Sequence, residues 1–301
     1  MRIDNAQLAA FAAVLSEGTF DSAARKLNVT PSAVSQRIKL LEDRMGQVLI
    51  QRATPCQATS AGRSLLRFAE QLALLEAEVF SELGVADAIA PSTVRIPVVV
   101  NADSLDSWFS EVFDGLPDAA AITLDIRSED QDHSVALLRE GTVMAAVSAN
   151  ALPIQGCQVE PLGVMRYLAV ASPSFVDRHF PSGVNADTLH AAPMLMFNKK
   201  DALQRAFVSQ FTELAVRPPT HFVPSTPSFL EAARRGLAWG MMPEQIVSAA
   251  LQAAELVEIA PDHWLDVPLF WHRWGVSSST LEVIGMLVRA AARRALRQPT
   301  R

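Results

Sequence analysis

Cysteine is nearly missing from this chain. There are two in 301 residues, Cys56 and Cys157, without CxxC or Cys/His spacing. That excludes a disulfide framework and a zinc knuckle, and leaves two structural thiols as the expectation. Long apolar runs are missing too. No stretch approaches the roughly 20 residues that a membrane helix needs. The opening Met-Arg-Ile-Asp-Asn-Ala-Gln has no apolar signal core, so cytoplasmic residence with no membrane partner is expected. Catalytic signatures are absent as well: no GxSxG, SxxK, HExxH, Walker or dinucleotide glycine motif. The histidines at 133, 179, 190, 221, 263 and 272 are scattered. The expectation is a protein that is not an enzyme, with no catalytic residue, metal site or cofactor.

Excess positive charge is also lacking, since the net charge is −6. The distribution reverses that impression. Residues 1–67 hold nine Lys+Arg and five Asp+Glu, a balance of +4, whereas residues 68–301 hold seventeen and twenty-seven, a balance of −10. A basic head on an acidic body fits one domain that meets phosphates and another that does not. The chain is long enough for two or three domains.

Within the head, Asp4 is a candidate cap for a helix reaching Glu17 and stopped by Gly18. Thr19 or Asp21 can cap a second helix carrying Ala23, Ala24 and Leu27. Asn28 suits a left-handed turn. Thr30 then caps and Pro31 opens a third helix, whose buried stripe is Val34, Ile38 and Leu41. Its other side shows Ser32, Ser35, Gln36, Arg37 and Lys39. Gln suits adenine, Arg and Lys suit guanine or phosphate, and Ser either. A solvated helix face is the plainer reading of any one of them. The complete helix-turn-helix with a wing favours DNA. The wing is a short hairpin around Thr54-Pro55, with Arg52 and Thr54 toward the backbone or minor groove. Thr59 can cap a long helix from Ser60 onward. Leu65, Phe68, Leu72, Leu75 and Val79 follow 3-4 spacing on it, the pattern of a two-helix seam in a homodimer.

These residues resemble those of LysR-type transcriptional regulators. The likeness runs through Phe20–Glu42, Leu49-Ile50-Gln51-Arg52 and Thr59-Ser60-Ala61-Gly62, and departs from it at Gln51, Ala53 and Pro55. A narrower resemblance is to the ArgP/LysG branch. It rests on Pro31 to Lys39, Asn101-Ala102-Asp103-Ser104-Leu105 with Trp108-Phe109, and Glu129 to His133. Leu162 to Arg166, Gly236 to Gly240 with Pro243-Glu244, and Trp271 to Trp274 complete it. The resemblance implies a winged helix-turn-helix (1–59), a linker helix and hinge (60–92), and a two-lobed, periplasmic-binding-protein-like α/β effector domain (93–301). Lobe 1 is then about 93–162 with 267–301, lobe 2 about 163–266, and the chain crosses between them near Leu162 and Val267. It also implies a homodimer or homotetramer on an inverted repeat of double-stranded DNA, and RNA polymerase as a further partner. Members of the branch respond to L-lysine or L-arginine and activate an exporter gene.

The residues of the body agree with an α/β reading. Val94–Val100, Ile122–Arg127 and Val143–Val147 read as strands, and Ser104–Leu116 and Asp132–Arg139 as helices, an order that implies a mostly parallel sheet. Ligands in such sheets sit beyond the carboxyl ends of strands. There Asp103 can take an α-ammonium and Ser104 a carboxylate, or Ser104 is a plain N-cap. Glu129 and Asp130 can hold a side-chain cation, or form a solvated acidic turn. Ser148, Ser225 and Thr226 are further candidates, and Trp108 is either core or a wall for an alkyl chain. A regulator answering another metabolite, such as a carboxylate, and a transport-type binding component remain alternatives.

Overall fold

The computed structural model of the protein describes residues 3–83, 94–116, 122–128, 131–213 and 215–298. The expected hinge at 84–92 and the candidates Glu129 and Asp130 lie outside the described residues.

Local chemistry builds the head. Helix α1 (Asn5–Glu17) begins where the Asp4 carboxylate accepts the Ala6 and Gln7 N–H groups, and ends at Gly18. Thr19 caps α2 (Phe20–Lys26) by accepting from Ser22 N–H. Asn28 makes the turn with φ 52°. Thr30 caps α3 (Pro31–Met45) by accepting from Ala33 N–H, with Pro31 in the first turn. Phe11, Val14, Ala23, Ala24, Val34, Ile38 and Leu41 interlock beneath. The wing pairs β1 (Ile50–Gln51) with β2 (Gln57–Ala58). It is tied to α3 by Glu42, whose carboxylate accepts from Leu49 N–H at 2.8 Å and Ile50 N–H at 3.3 Å.

Helix α4 (Ser60–Glu82) leaves the wing with Thr59 accepting from Gly62 N–H at 3.0 Å. A Cβ at Gly62 would overlap the Leu49 carbonyl, so only glycine lets the helix start this close to the wing. The 3-4 seam divides in the fold. Leu65 is buried in the core of its own head, and Leu72 packs against that core. Leu65 is therefore not free for a partner helix, which corrects that position of the expected seam, while Leu72 is half-buried. Phe68 and Val79 stay exposed at 45% and 49%, joined by Phe80 and Leu83, and Leu75 is half-buried. Leu74 points the other way, into the core of the body.

In the body, strands β3 (Val94–Val100), β4 (Ile122–Ser128) and β5 (Ala145–Ser148) are parallel, with β3 central. Helix α5 (Ala102–Leu105) follows β3, and α6 (Gln131–Glu140) follows β4. The expected helix over 104–116 is instead α5 and a separate 3-10 turn, Phe109–Gly115. The Ser107 hydroxyl donates back to the Asp103 carbonyl, the kind of side-chain competition that stops a helix. Strand β6 (Cys157–Ala171) then crosses into the second lobe. That lobe holds α7 (Pro173–His179), α8 (Ala186–Ala191), β7 (Met194–Met196), α9 (Leu203–Val208), β8 (Thr220–Phe222), α10 (Thr226–Arg234), β9 (Gly240–Pro243), α11 (Glu244–Gln252) and β10 (Val257–Glu258). Strand β11 (Trp264–Trp274) crosses back, and α12 (Ser279–Ala295) completes lobe 1. β6 and β11 run antiparallel side by side from Trp264 opposite Leu168 to Trp274 opposite Cys157. Both crossovers are therefore one ladder. Among the described residues, no helix is long and apolar enough to cross a membrane, and no group of three or more His, Cys, Asp or Glu could hold a metal ion.

The linker helix docks on lobe 1. Glu78 accepts from the Ser278 hydroxyl at 2.6 Å and from Thr280 N–H at 2.9 Å, capping α12 from outside its own chain segment. Arg67 donates to the Gln155 carbonyl at 3.3 Å. Between head, linker and lobe 1 lies a cavity of about 800 Å³, faced by Glu70, Arg95, Asp125 and Arg127. One Glu70 oxygen is shut from water without a partner. Desolvation raises its pKa to about 8 from 4.5, and Arg127 and Arg95 offset only part of that rise.

A carboxyl whose folded pKa exceeds its unfolded one contributes stability at low pH. That contribution fades as pH climbs from about 4.5 through 8. Glu70→Gln is therefore expected to raise stability at pH 8 by about 1–3 kcal/mol and to flatten the fall in stability across that window. Urea midpoints measured from pH 5 to 8 check it.

Candidate functional site

Two sites stand out, one on the head and one between the lobes. On α3, Thr30, Ser32, Gln36 and Lys39 are exposed, and Ser35 and Arg37 are half-buried. Val34 and Ile38, on the opposite side, are sealed in the core. The Thr30 and Ser32 hydroxyls lie 3.0 Å apart at the helix N-terminus. These six residues form one polar, net positive face. Sequence reasoning did not single out Leu40, which is 49% exposed beside Lys39 and could meet a thymine methyl group. On the wing, the Arg52 guanidinium stands over the Phe20 ring, 5.1 Å from its centroid. That cation–π contact holds it beside the start of α2. Thr54 is exposed at the wing tip. The shape is that of a recognition helix for a major groove with a basic wing beside it.

The second site is a cavity of about 520 Å³ between the lobes. Asn101, Asp103 and Ser128 face it from lobe 1, at the carboxyl ends of β3 and β4. Lys200, Asp201 and Thr226 face it from lobe 2. Phe197, Phe229, Met241 and Met242 supply apolar wall. Asp103 is the focus. Its Oδ2 accepts from the Tyr167 hydroxyl at 2.8 Å, and its Oδ1 from the Thr226 hydroxyl at 3.2 Å. Burial pushes its pKa up, the two hydroxyls pull it down, and the nearby Asp201 and Asp106 push it up again. Asp201 spends its carboxylate on the backbone, accepting Phe197 N–H at 2.9 Å and Leu203 N–H at 3.0 Å. The Asn101 side-chain oxygen is buried without a partner. An acidic focus with apolar walls suits a small molecule that carries a cation on an aliphatic chain.

The structure brings Asp103 and Thr226 together across the cleft and leaves four other candidates out of it. Ser104 is the fully buried residue of α5 itself. Trp108 is 2% exposed and packs edge-on against Phe109, with ring centroids 5.8 Å apart, inside the core. Ser148 is fully buried, and its hydroxyl accepts Asn150 N–H at 3.1 Å. Ser225 caps α10 by accepting from Ser228 N–H. In each case the turn or the core claims the side chain before a ligand can. Tyr167 was missed. It is the only tyrosine in the chain, and it sits within an apolar crossover strand far in sequence from its partner.

Comparisons with known proteins follow this division of the chain. Residues 6–63 match the bacterial regulatory helix-turn-helix protein model of the lysR family, and residues 117–293 match the LysR substrate binding domain. The lysine export transcriptional regulatory protein LysG of Corynebacterium glutamicum is 39% identical over 97% of this chain and 98% of its own length. The crystal structure of ArgP from Mycobacterium tuberculosis superposes with a TM-score of 0.90 at 50% identity, covering 99% of this chain and 100% of that one. Full-length LysG from Corynebacterium glutamicum with bound effector Arg gives 0.80 at 36% identity, covering 98% and 99%. With a reading helix on its head, a cleft in its body and these relatives, the chain belongs to the LysR family of DNA-binding transcriptional regulators, among its LysG and ArgP members.

Proposed function

We propose that the protein senses a basic amino acid, L-lysine or L-arginine, in its interlobe cleft and activates transcription of an exporter gene for basic amino acids. The observation that carries this reading is the Asp103 carboxylate, buried in the cleft and held there by two hydroxyls. An anion set among Phe197, Phe229, Met241 and Met242 gains most from a ligand that is itself cationic and partly aliphatic. The LysG relative with bound Arg, and the one described by lysine export, support the same ligand class.

Acting in the cytoplasm, the protein works as a dimer, and as a tetramer, a dimer of dimers, on longer sites. The outward residues Phe68, Leu75 and Val79 of α4 meet their twins. Leu65 braces the head instead, and half-buried Leu72 packs on the head with one side. Two α3 helices then read an inverted repeat. Effector binding changes the angle between heads, hence the bend in the DNA and its presentation to RNA polymerase.

Two outcomes are expected. Calorimetry should give saturable heat with arginine or lysine. Asp103→Asn should weaken that binding at least about tenfold, since hydrogen bonds to charged groups are worth about 1.5–3 kcal/mol. Heat with an anionic metabolite and none with arginine or lysine would overturn the effector assignment. Separately, Arg37→Ala should cost about 1–3 kcal/mol in retardation of the specific promoter fragment. Undiminished specific retardation would remove α3 from the reading role.

A further inference from the structure

Asp103 is gripped from three directions. Its backbone belongs to α5 in lobe 1. Tyr167 reaches it from the crossover strand β6, and Thr226 from the first residue of α10 in lobe 2. Tyr167 is 1% exposed, and its neighbours on β6 pair with β9 and β11 on either side. Its hydroxyl therefore cannot swing away. The charged groups around the carboxylate are Asp106 on its own turn, and Asp201 and Lys200 on the lobe 2 loop. Burial and both aspartates work against a negative charge, and the two hydroxyls work for it.

We propose that Tyr167 is a positioning residue for effector selection, fixing Asp103 as an aimed anion, and that Thr226 makes this grip depend on closure of the second lobe. The inference rests on the reading of the cleft as a site for basic amino acids, and it adds what makes the site selective. A carboxylate that accepts from Tyr167 and Thr226 keeps its remaining lone pairs for the ligand's cation. Without the Tyr167 hydroxyl the carboxyl takes up a proton more readily. It then donates where it should accept, and a cationic ligand loses its partner. Thr226 reaches Asp103 from the opposite lobe, so an open cleft lacks one of the two supports. Cation affinity and closure are thereby linked through a single carboxylate.

Protonation of Asp103 abolishes its attraction for a cation, so affinity for arginine falls as pH is lowered. Removing a hydroxyl that favours the charged form moves that fall to higher pH. The test is arginine affinity by calorimetry on the full-length protein between pH 5.5 and 8, for wild type, Tyr167→Phe and Thr226→Val. The expected result is a midpoint raised by about one pH unit in Tyr167→Phe, with binding weaker by about tenfold on the acid side of both midpoints and converging with wild type on the alkaline side. Thr226→Val should give a smaller shift in the same direction. Repeating the series with 5-guanidinopentanoate, which lacks the α-ammonium, shows which cation meets Asp103. A shift that persists assigns the guanidinium, and a shift that vanishes assigns the α-ammonium. Weaker arginine binding with an unmoved midpoint would mean that Tyr167 only packs, and would overturn the proposal. If Tyr167→Phe fails to fold, an unmoved midpoint in Thr226→Val overturns it equally. Absence of arginine binding by the wild type at every pH would instead sink the effector reading itself.

Discussion

The antiparallel ladder between β6 and β11 is the constraint on which the rest of the body depends. Both crossings between the lobes run through these two strands, held in register from Trp264 opposite Leu168 to Trp274 opposite Cys157. Toward lobe 2, Arg166 stands opposite Asp266 and binds it through two N–H···O contacts of 2.8 Å, while its guanidinium covers Trp264 at 4.1 Å. Toward lobe 1, Glu160 meets Arg273 and Arg289, and both arginines also meet Glu282. The register breaks between Leu269 and Phe270. Close by, Gly163 has φ 142°, and a Cβ there would strike Leu296 and the Arg297 carbonyl. The irregularity thus falls where the end of α12 presses on the ladder. Tyr167 lies on the lobe 2 side of that point, which is why a strand residue can reach an aspartate at the end of β3.

The same ladder connects the cleft to the linker helix. Backbone bonds in both directions join Val164 to Arg297, just beyond α12, and the Arg297 guanidinium binds Glu244 at the start of α11 in lobe 2. The other end of α12 is held by Glu78 of α4. One helix therefore touches lobe 2 at one end and the linker at the other. A ligand that biases the lobes toward closure pulls on a rigid element anchored to the helix that orients the head. That is the physical content coupling requires: contiguous contacts whose arrangement the ligand can favour. Glu70 adds a second influence on the same docking surface. Its carboxyl faces the cavity between linker and lobe 1 and resists ionisation there.

Legibility in the sequence tracked the range of each interaction. Caps and turns are decided within a few residues, so Asp4, Thr19 or Asp21, Asn28 and Thr30 could be read directly, and the structure chose Thr19 over Asp21. The parallel trio β3, β4 and β5 follows from alternating elements and the crossovers near Leu162 and Val267 from a family resemblance. The expected mostly parallel sheet is corrected: β6 pairs antiparallel with β9, β10 and β11, and β11 with β5, because the crossover strands return through the same sheet. The seam on α4 shows the limit of periodicity. Spacing tells which residues share a stripe, but not whether a neighbour from the same chain already covers part of it, and Leu65 is covered by the head while Leu72 is partly so. The cleft shows another limit. Strand ends and helix starts mark where ligands can sit, which singled out Asp103 and Thr226. The same positions also need capping hydroxyls and core side chains, and these needs claimed Ser148, Ser225 and Trp108. Tyr167 left no local signal, because its partner lies 64 residues away.

Charge explains why control by geometry suits this protein. The head carries a balance of only +4 and the body −10. Phosphate contacts supply most of the affinity of a DNA binder, and each neutralised phosphate adds a share through counterion release. One lightly charged head on a strongly acidic body offers few cations to phosphate, and the body's charge has the same sign as that of the duplex. In the proposed dimer two heads bind together, each placed so that its few cations reach phosphate while the bodies stay clear. Under that condition a small change in the angle between heads removes or restores several contacts at once. Asp103 and Asp201 in the cleft belong to the body's acidity, so the field there favours the cationic effector proposed for it. Its single positive charge hardly alters the total. What it can alter is how the Asp103 carboxylate is shared between the lobes, and through α12 and Glu78 the direction in which the head points.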